Sequence, residues 1–188
     1  MDFIAKESDP MPRIEPAHAP YSETVTALFE KAMPPGVPPL ALFRTLARDE
    51  RLFSRFAAGN LLDRGNLTLR ERELVIDRTT AICGSEYEWG VHVAFFGERV
   101  RLTAEERASF VRGTPADPCW SDAERDLLAT VDALLARCTL DDREFATVQA
   151  RYADEALLEI VLLTGFYRTV SALTNVMGLD PEPFAARF

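Results

Sequence analysis

The sequence predicts an all-α fold, a compact multi-helix bundle led by an extended, proline-rich arm. Three observations carry that expectation. Apolar residues recur at three- and four-residue intervals, the period of a helix face. Four segments have the Ser/Thr-x-x-Glu form of a capping box, in which two side chains satisfy orphan backbone donors at a helix start: Thr68–Glu71, Ser85–Glu88, Thr103–Glu106 and Ser121–Glu124. No segment alternates apolar and polar residues between hairpin turns, as a half-buried strand would.

The elements follow in chain order. Residues 1–20 contain Pro10, Pro12, Pro16 and Pro20 and little apolar periodicity, so they read as an arm that is ordered only where something holds it down. Residues 21–188 read as one helical domain. Val25, Leu28, Phe29 and Met33 mark a first helix, which the cluster Pro34-Pro35-Gly36-Val37-Pro38-Pro39 ends. Leu40, Leu42, Phe43 and Leu46 continue the pattern, then Leu52, Phe53 and Phe56. Helices open at Thr68, Ser85, Thr103 and Ser121. Gly113, Pro115 and Pro118 close the third of these, and Leu127, Leu128, Val131, Leu134 and Leu135 give the fourth its apolar stripe. The segment Asp154–Met177 is apolar nearly all round over its first half, which predicts burial in the core or in a subunit contact. Gly178 and Pro181 stop it.

Composition narrows the function classes. With 21 basic and 30 acidic side chains, the net charge of −9 and the absence of a basic run argue against nucleic-acid binding. The run Ile160-Val161-Leu162-Leu163 is broken by Glu159 and Thr164, so no membrane span is expected. The first ten residues lack the basic-then-apolar pattern of a signal peptide, and a cytoplasmic location is the default expectation. Three dispersed cysteines, Cys83, Cys119 and Cys138, fit neither a disulfide framework nor a zinc site.

Acid–base chemistry concentrates on one stretch. Of the two histidines, His18 lies in the arm, where exposure is expected. His92 stands one helical turn after Glu88, a spacing that lets a carboxylate orient the imidazole and raise its pKa. Glu88 has a purely structural role open to it as the third residue of a capping box. Glu73 and Asp77 are also one turn apart, and the charges of Arg70, Glu71 and Arg72 around them suggest a solvated face.

The residues Arg70-Glu71-Arg72-Glu73-Leu74-Val75-Ile76, Gly84-Ser85-Glu86-Tyr87-Glu88-Trp89 and His92-Val93 resemble the carboxymuconolactone decarboxylase family, whose helical fold is shared with alkylhydroperoxidase D-like peroxidases. Residues 155–168 are similar to that family's C-terminal helix. The likeness spans roughly residues 21–180, with its specific part at 70–97. The peroxidase branch carries a glutamate, a Cys-x-x-Cys pair and a histidine. Aligning that histidine with His92 places Glu73 on the glutamate, and Ser85 and Glu88 on the two cysteines. The redox pair is missing, and with it the thiolate and the resolving thiol of a dithiol cycle.

The resemblance therefore implies a cofactor-independent decarboxylase, with no metal, acting on a small carboxylated lactone or a similar intermediate of aromatic degradation. It implies His92 as proton donor, Glu88 or Glu73 orienting it, Tyr87 as donor to a developing oxyanion, Trp89 as a pocket wall and Arg78 as receiver of a substrate carboxylate. It also implies a homo-oligomer, a trimer or hexamer. Two other classes stand beside this one: a non-catalytic helical binding protein, and a peroxidase relying on Cys83. The peroxidase alternative meets a direct measurement. Thiol titration of unfolded protein is expected to return the same count before and after stoichiometric peroxide; a loss of two thiols would restore the dithiol cycle.

Overall fold

The computed structural model describes residues 12–188, and the first eleven residues of the predicted arm lie outside them. Among the described residues there are nine helices and no strands: α1 (Glu23–Ala32), α2 (Ala41–Leu46), α3 (Glu50–Ala58), α4 (Leu69–Ile82), α5 (Glu86–Phe96), α6 (Ala104–Arg112), α7 (Asp122–Arg137), α8 (Asp142–Gln149) and α9 (Asp154–Met177). The capping boxes at Thr68, Thr103 and Ser121 are complete, with side chain and glutamate both engaged. A fourth complete box, Asp141 with Glu144, opens α8, a helix the sequence reading does not anticipate. Aspartate accepts the same backbone bond as serine or threonine.

At the centre is α4, packed against α5, α6, α7 and α9. Nine consecutive residues, Arg72 to Thr80, are buried, and four of them are ionisable. The solvated face expected around Arg70–Arg72 is therefore absent. Burying such groups is tolerated only when each is paired, because an isolated charge loses its hydration without recompense. The pairing is extensive. Arg70 donates to Glu106, Glu124 and the Val100 carbonyl. Arg78 grips Asp132 through two bonds of 2.7 Å and donates to the carbonyls of Ser109, Phe110 and Gly113. The bonds Arg70–Glu124 and Arg78–Asp132 share one separation of 54 residues, so α4 and α7 run parallel in constant register.

The turn from α4 to α5 sets the site. Gly84 adopts φ +65°, its N–H donates to the Ala81 carbonyl, and the Ser85 N–H donates to the Thr80 carbonyl. This pair of bonds is a Schellman ending, which needs the left-handed conformation that glycine adopts without strain. Ser85 then caps α5 by accepting from the Glu88 N–H, and its hydroxyl also meets that of Thr174 at 2.8 Å. The expected box at Ser85 is thus only half formed. Its backbone N–H is already taken by Thr80, which leaves the Glu88 carboxylate free to turn inward.

The 24-residue α9 has the length and apolarity of a membrane span, contrary to the sequence expectation, but half of it is buried inside this bundle. Its inner face carries Glu159, Thr164, Ser171 and Thr174, and Glu159 accepts from the backbone and side chain of Asn66. The described part of the arm is tied down at Arg13 N–H to the Met177 carbonyl and Ala17 N–H to the Arg44 carbonyl. His18 is exposed beside Glu15.

Beyond Gly178 the C-terminal segment straps α5. The Glu182 carboxylate accepts from the Ala41 N–H and the Tyr87 hydroxyl, both at 2.6 Å, and the Ala186 N–H donates to the Gly90 carbonyl. A Cβ on Gly90 would lie 2.2 Å from the Ala186 carbonyl oxygen. Gly90→Ala is expected to lower unfolding free energy by about 1–3 kcal/mol in urea titration, the range of overpacking, despite alanine's better helix propensity. An unchanged midpoint would show that the strap contributes nothing to stability.

Candidate active site

Glu73 lies in the buried middle of α4, and His92 and Glu88 lie on the inner face of α5 across the Gly84 turn. The Glu73 carboxylate is divided between two partners. One oxygen accepts from Arg72 Nε at 3.0 Å and Nη2 at 2.8 Å, and the other meets His92 Nδ1 at 2.8 Å. A carboxylate only accepts, so Nδ1 carries the proton of that bond. Arg72 is itself fixed by the Leu62 carbonyl at 2.8 Å. The far nitrogen of His92, Nε2, faces Glu88 Oε1 at 3.5 Å, too long for a strong hydrogen bond. Glu88 Oε2 is buried without a partner.

Burial alone would drive His92 toward its neutral form. The charge and hydrogen bond of Glu73, with those of Glu88, outweigh it and raise the imidazole to about 10. Asp77, one turn beyond Glu73, moves the other way. Burial, reinforced by the nearby charge of Glu73, pushes its carboxyl well above the usual carboxylate range, and its Oδ1 has no partner. Near neutral pH the cluster therefore holds a protonated imidazole beside a carboxyl, Asp77, whose burial favours its neutral form. The His92 ring stacks on Phe96 at 5.5 Å and meets the edge of Tyr167 at 5.0 Å.

His92 and Glu88 form the polar end of a cavity of about 210 Å³, with Glu73, Arg72 and Asp77 behind them. Rings of Phe43, Phe56, Phe95, Phe96, Phe166 and Tyr167 wall it, with Met33 and Leu40 from the N-terminal helices. Its charged lining residues are Glu88, His92 and Arg99. Arg99 is exposed and lies over the Phe96 ring at 5.3 Å. None of the three cysteines lines this space. Cys83 ends α4 beside Arg168 and Ser171, and burial raises its thiol. Among the described residues, no group of three or more His, Cys, Asp or Glu side chains is arranged to hold a metal ion.

The structure brings Glu73, Glu88 and His92 together and sends the other three expected residues elsewhere. Arg78 is consumed by Asp132 and three carbonyls, so it is not available to a substrate carboxylate. Tyr87 donates to Glu182 and accepts from the Leu42 N–H, tying the C-terminal segment to α2. Trp89 is buried against Phe188, on the strap side of α5. Tyr87 and Trp89 flank Glu88 in sequence, but a helix turns each successive residue by about 100°, away from the face shared by Glu88 and His92. The sequence reading missed Arg72, Arg99, Phe96 and Tyr167. Only Arg72, adjacent to Glu73, offered a local signal.

Comparison with known proteins bears on the fold and on the stretch that carries these residues. Residues 50–133 match the carboxymuconolactone decarboxylase family, a stretch that contains Glu73, Glu88 and His92. No curated protein matches. Among solved structures, an uncharacterized peroxidase-related protein from Silicibacter sp. TM1040 is similar with a TM-score of 0.80 at 15% identity, covering 96% of each chain. An alkylhydroperoxidase AhpD core protein from Ralstonia eutropha JMP134, also an uncharacterized peroxidase-related protein, gives 0.76 at 18% identity over 94% of this chain and 95% of that one. The debrominase Bmp8 gives 0.67 at 18% identity over 91% and 92%. These likenesses establish the fold.

The histidine offers a titration test. By NMR of its ring, His92 is expected to titrate near pH 10, and Glu88→Gln to move it down while Glu73 keeps it above 6.5. Because the folded value is the raised one, its contribution to stability is complete below about pH 6.5 and is lost as pH climbs through 10. A midpoint near 6.5 in the native protein would dissolve the proposed coupling.

Proposed function

We propose that this chain, whose residues 50–133 are a carboxymuconolactone decarboxylase family segment, is an acid–base enzyme that decarboxylates a small, flat, carboxylated lactone or a similar conjugated acid. The observation that carries the reading is the line Arg72–Glu73–His92–Glu88, which ends in an aromatic cavity lined by no thiol. A dithiol peroxidase reaction has no group to start it there. A protonated imidazole at the end of an apolar pocket suits a reaction that develops negative charge and then takes up a proton.

In such a lactone the bond to the carboxylate breaks with its electrons entering the conjugated ring, releasing carbon dioxide and leaving a dienolate. The substrate supplies its own electron sink. His92, held positive by Glu73, stabilises the dienolate and delivers its Nε2 proton to carbon. The long contact to Glu88 leaves that proton uncommitted. Glu88, whose second oxygen has no partner, returns a proton to the imidazole. Arg99 takes the role that Arg78 cannot, as the cation at the solvent edge of the cavity. The aromatic walls favour a flat ring. A complex of a Cys-to-Ala variant of the debrominase Bmp8 holds 2,3,4-tribromopyrrole, also a flat ring, which supports a ring-shaped ligand on this fold.

Carbon dioxide release from carboxymuconolactone and related unsaturated lactones is the decisive measurement. His92→Ala is expected to lower kcat by about 10²–10⁴-fold, the range for a lost general acid. Arg99→Ala is expected to raise KM with a smaller effect on kcat. Equal rates for native protein and His92→Ala would remove His92 from the chemistry, and silence on every lactone would remove the reaction.

A further inference from the structure

The proposed reaction asks for more donors than His92 can supply. The Nδ1 proton is held by Glu73, so a single proton, on Nε2, is uncommitted. A dienolate makes two demands at different atoms, a hydrogen bond at the oxygen where charge gathers and a proton at carbon. One N–H cannot meet both at once. Tyr87, expected from the sequence as donor to the oxyanion, is spent on Glu182. Besides His92, the cavity-lining side chains that always carry an N–H or O–H are Asn60, Arg99 and Tyr167. Arg99 is exposed and Asn60 is half-buried in the loop after α3, whereas Tyr167 is 2% exposed.

The Tyr167 hydroxyl has no structural task. Tyr21 donates to the Ala17 carbonyl, Tyr87 to Glu182 and Tyr152 to Glu71. Of the four tyrosines, Tyr167 alone has no acceptor among the described residues. A buried phenol without a partner carries a cost that phenylalanine, filling the same space, would avoid. Glu88 Oε2 is buried without a partner as well, so the groups beside His92 are incomplete as the chain alone supplies them. Burial first, then the charges of Glu88 and Glu73, push the Tyr167 phenol well above its usual range, and near neutral pH it presents an O–H. The ring is held edge-on to His92 at 5.0 Å and to Phe166 at 5.5 Å. A donor fixed in place and shielded from water acts on developing charge more strongly than one in solution.

We infer that Tyr167 is a catalytic residue that donates the hydrogen bond to the enolate oxygen, leaving the Nε2 proton of His92 for carbon; the inference rests on the decarboxylation proposed above. The bond to the carboxylate breaks, its electron pair enters the ring, and carbon dioxide leaves. The ring carbonyl becomes an enolate oxygen that accepts from the Tyr167 O–H. The Nε2 proton then passes to carbon, the carbonyl re-forms, and the imidazole stays neutral until Glu88 reprotonates it. Tyr167 keeps its proton throughout.

This division of labour narrows the substrate class. The ring must carry a carbonyl conjugated with the carbon that bears the carboxylate, and its oxygen must enter first, toward Tyr167 and His92. A flat ring acid without such a carbonyl gains nothing from the hydroxyl and is expected to bind without losing carbon dioxide.

Tyr167→Phe removes the hydroxyl and keeps the ring. On a lactone that the native protein decarboxylates, it is expected to lower kcat by about 10²–10³-fold, the range for one lost oxyanion donor, with KM little changed. Its melting temperature should not fall, because no bond within the chain is lost. Native kcat in this variant overturns the inference, as does a lowered melting temperature accompanying the lost activity, which would make the hydroxyl a structural group. A second measurement stands apart from the reaction. Native protein should bind para-nitrophenolate, a flat ring with a charged oxygen, and Tyr167→Phe should bind it about 10–100-fold more weakly, the worth of a hydrogen bond to a charged group. Nitrobenzene, the same ring without that oxygen, should bind both equally. If the native protein releases no carbon dioxide from any lactone yet shows this loss, the decarboxylation fails and Tyr167 remains the oxyanion donor of the site. Equal phenolate affinity in the two proteins, or no phenolate binding by the native protein, overturns the assignment.

Discussion

A carboxylate with no access to water, Glu73, holds this structure to its shape. An ionised group in such a place is stable only while its partners stay where they are. Arg72 on one side and His92 on the other supply the opposing charge, and each is held in turn, Arg72 by the Leu62 carbonyl and His92 by the packing of α5 on α4. The remaining charges of α4 impose the same demand on α6 and α7, through Arg70 and Arg78. A helix with six charged residues in fourteen thus becomes the innermost one, and its pairs dictate which helices surround it and in what register.

The cavity divides its work among different stretches of chain. The family segment brings the charged end, Glu73, Glu88 and His92. The chain before residue 50 contributes Met33, Leu40 and Phe43, α3 contributes Phe56, and α9 contributes Phe166 and Tyr167. The N-terminal helices therefore form a wall of the cavity. Under the proposed reaction, chemistry and specificity are separable in such a design. Substitutions in the walls change what fits, while the buried ion line behind His92 stays intact.

Glu88 shows how local and tertiary demands meet at one residue. Its sequence setting is that of a helix-capping glutamate, and Ser85 does cap α5. The preceding Schellman turn, made possible by Gly84, has already satisfied the backbone donor that Glu88 would have served. The carboxylate is released from capping and faces His92 instead. A rule of helix termini thus yields to the contact with His92 through one hydrogen bond upstream.

Much of the fold was legible because helix starts and stops are local chemistry. Thr68, Thr103 and Ser121 begin helices where their spacing to glutamate says they should, and Gly178 ends α9. The one-turn spacing of Glu88 and His92 was equally local, as was the absence of a cysteine pair. The burial of α4 was not legible, because charges at 70–78 look solvated until their partners 36 to 54 residues away are known. The diversion of Arg78 and Tyr87 to structural partners was hidden for the same reason. By itself, then, the sequence determined the helices, their caps and the short list of ionisable groups. The tertiary structure decided which of those groups lost their water, and a side chain's charge becomes chemistry only where desolvation and a fixed partner make it so.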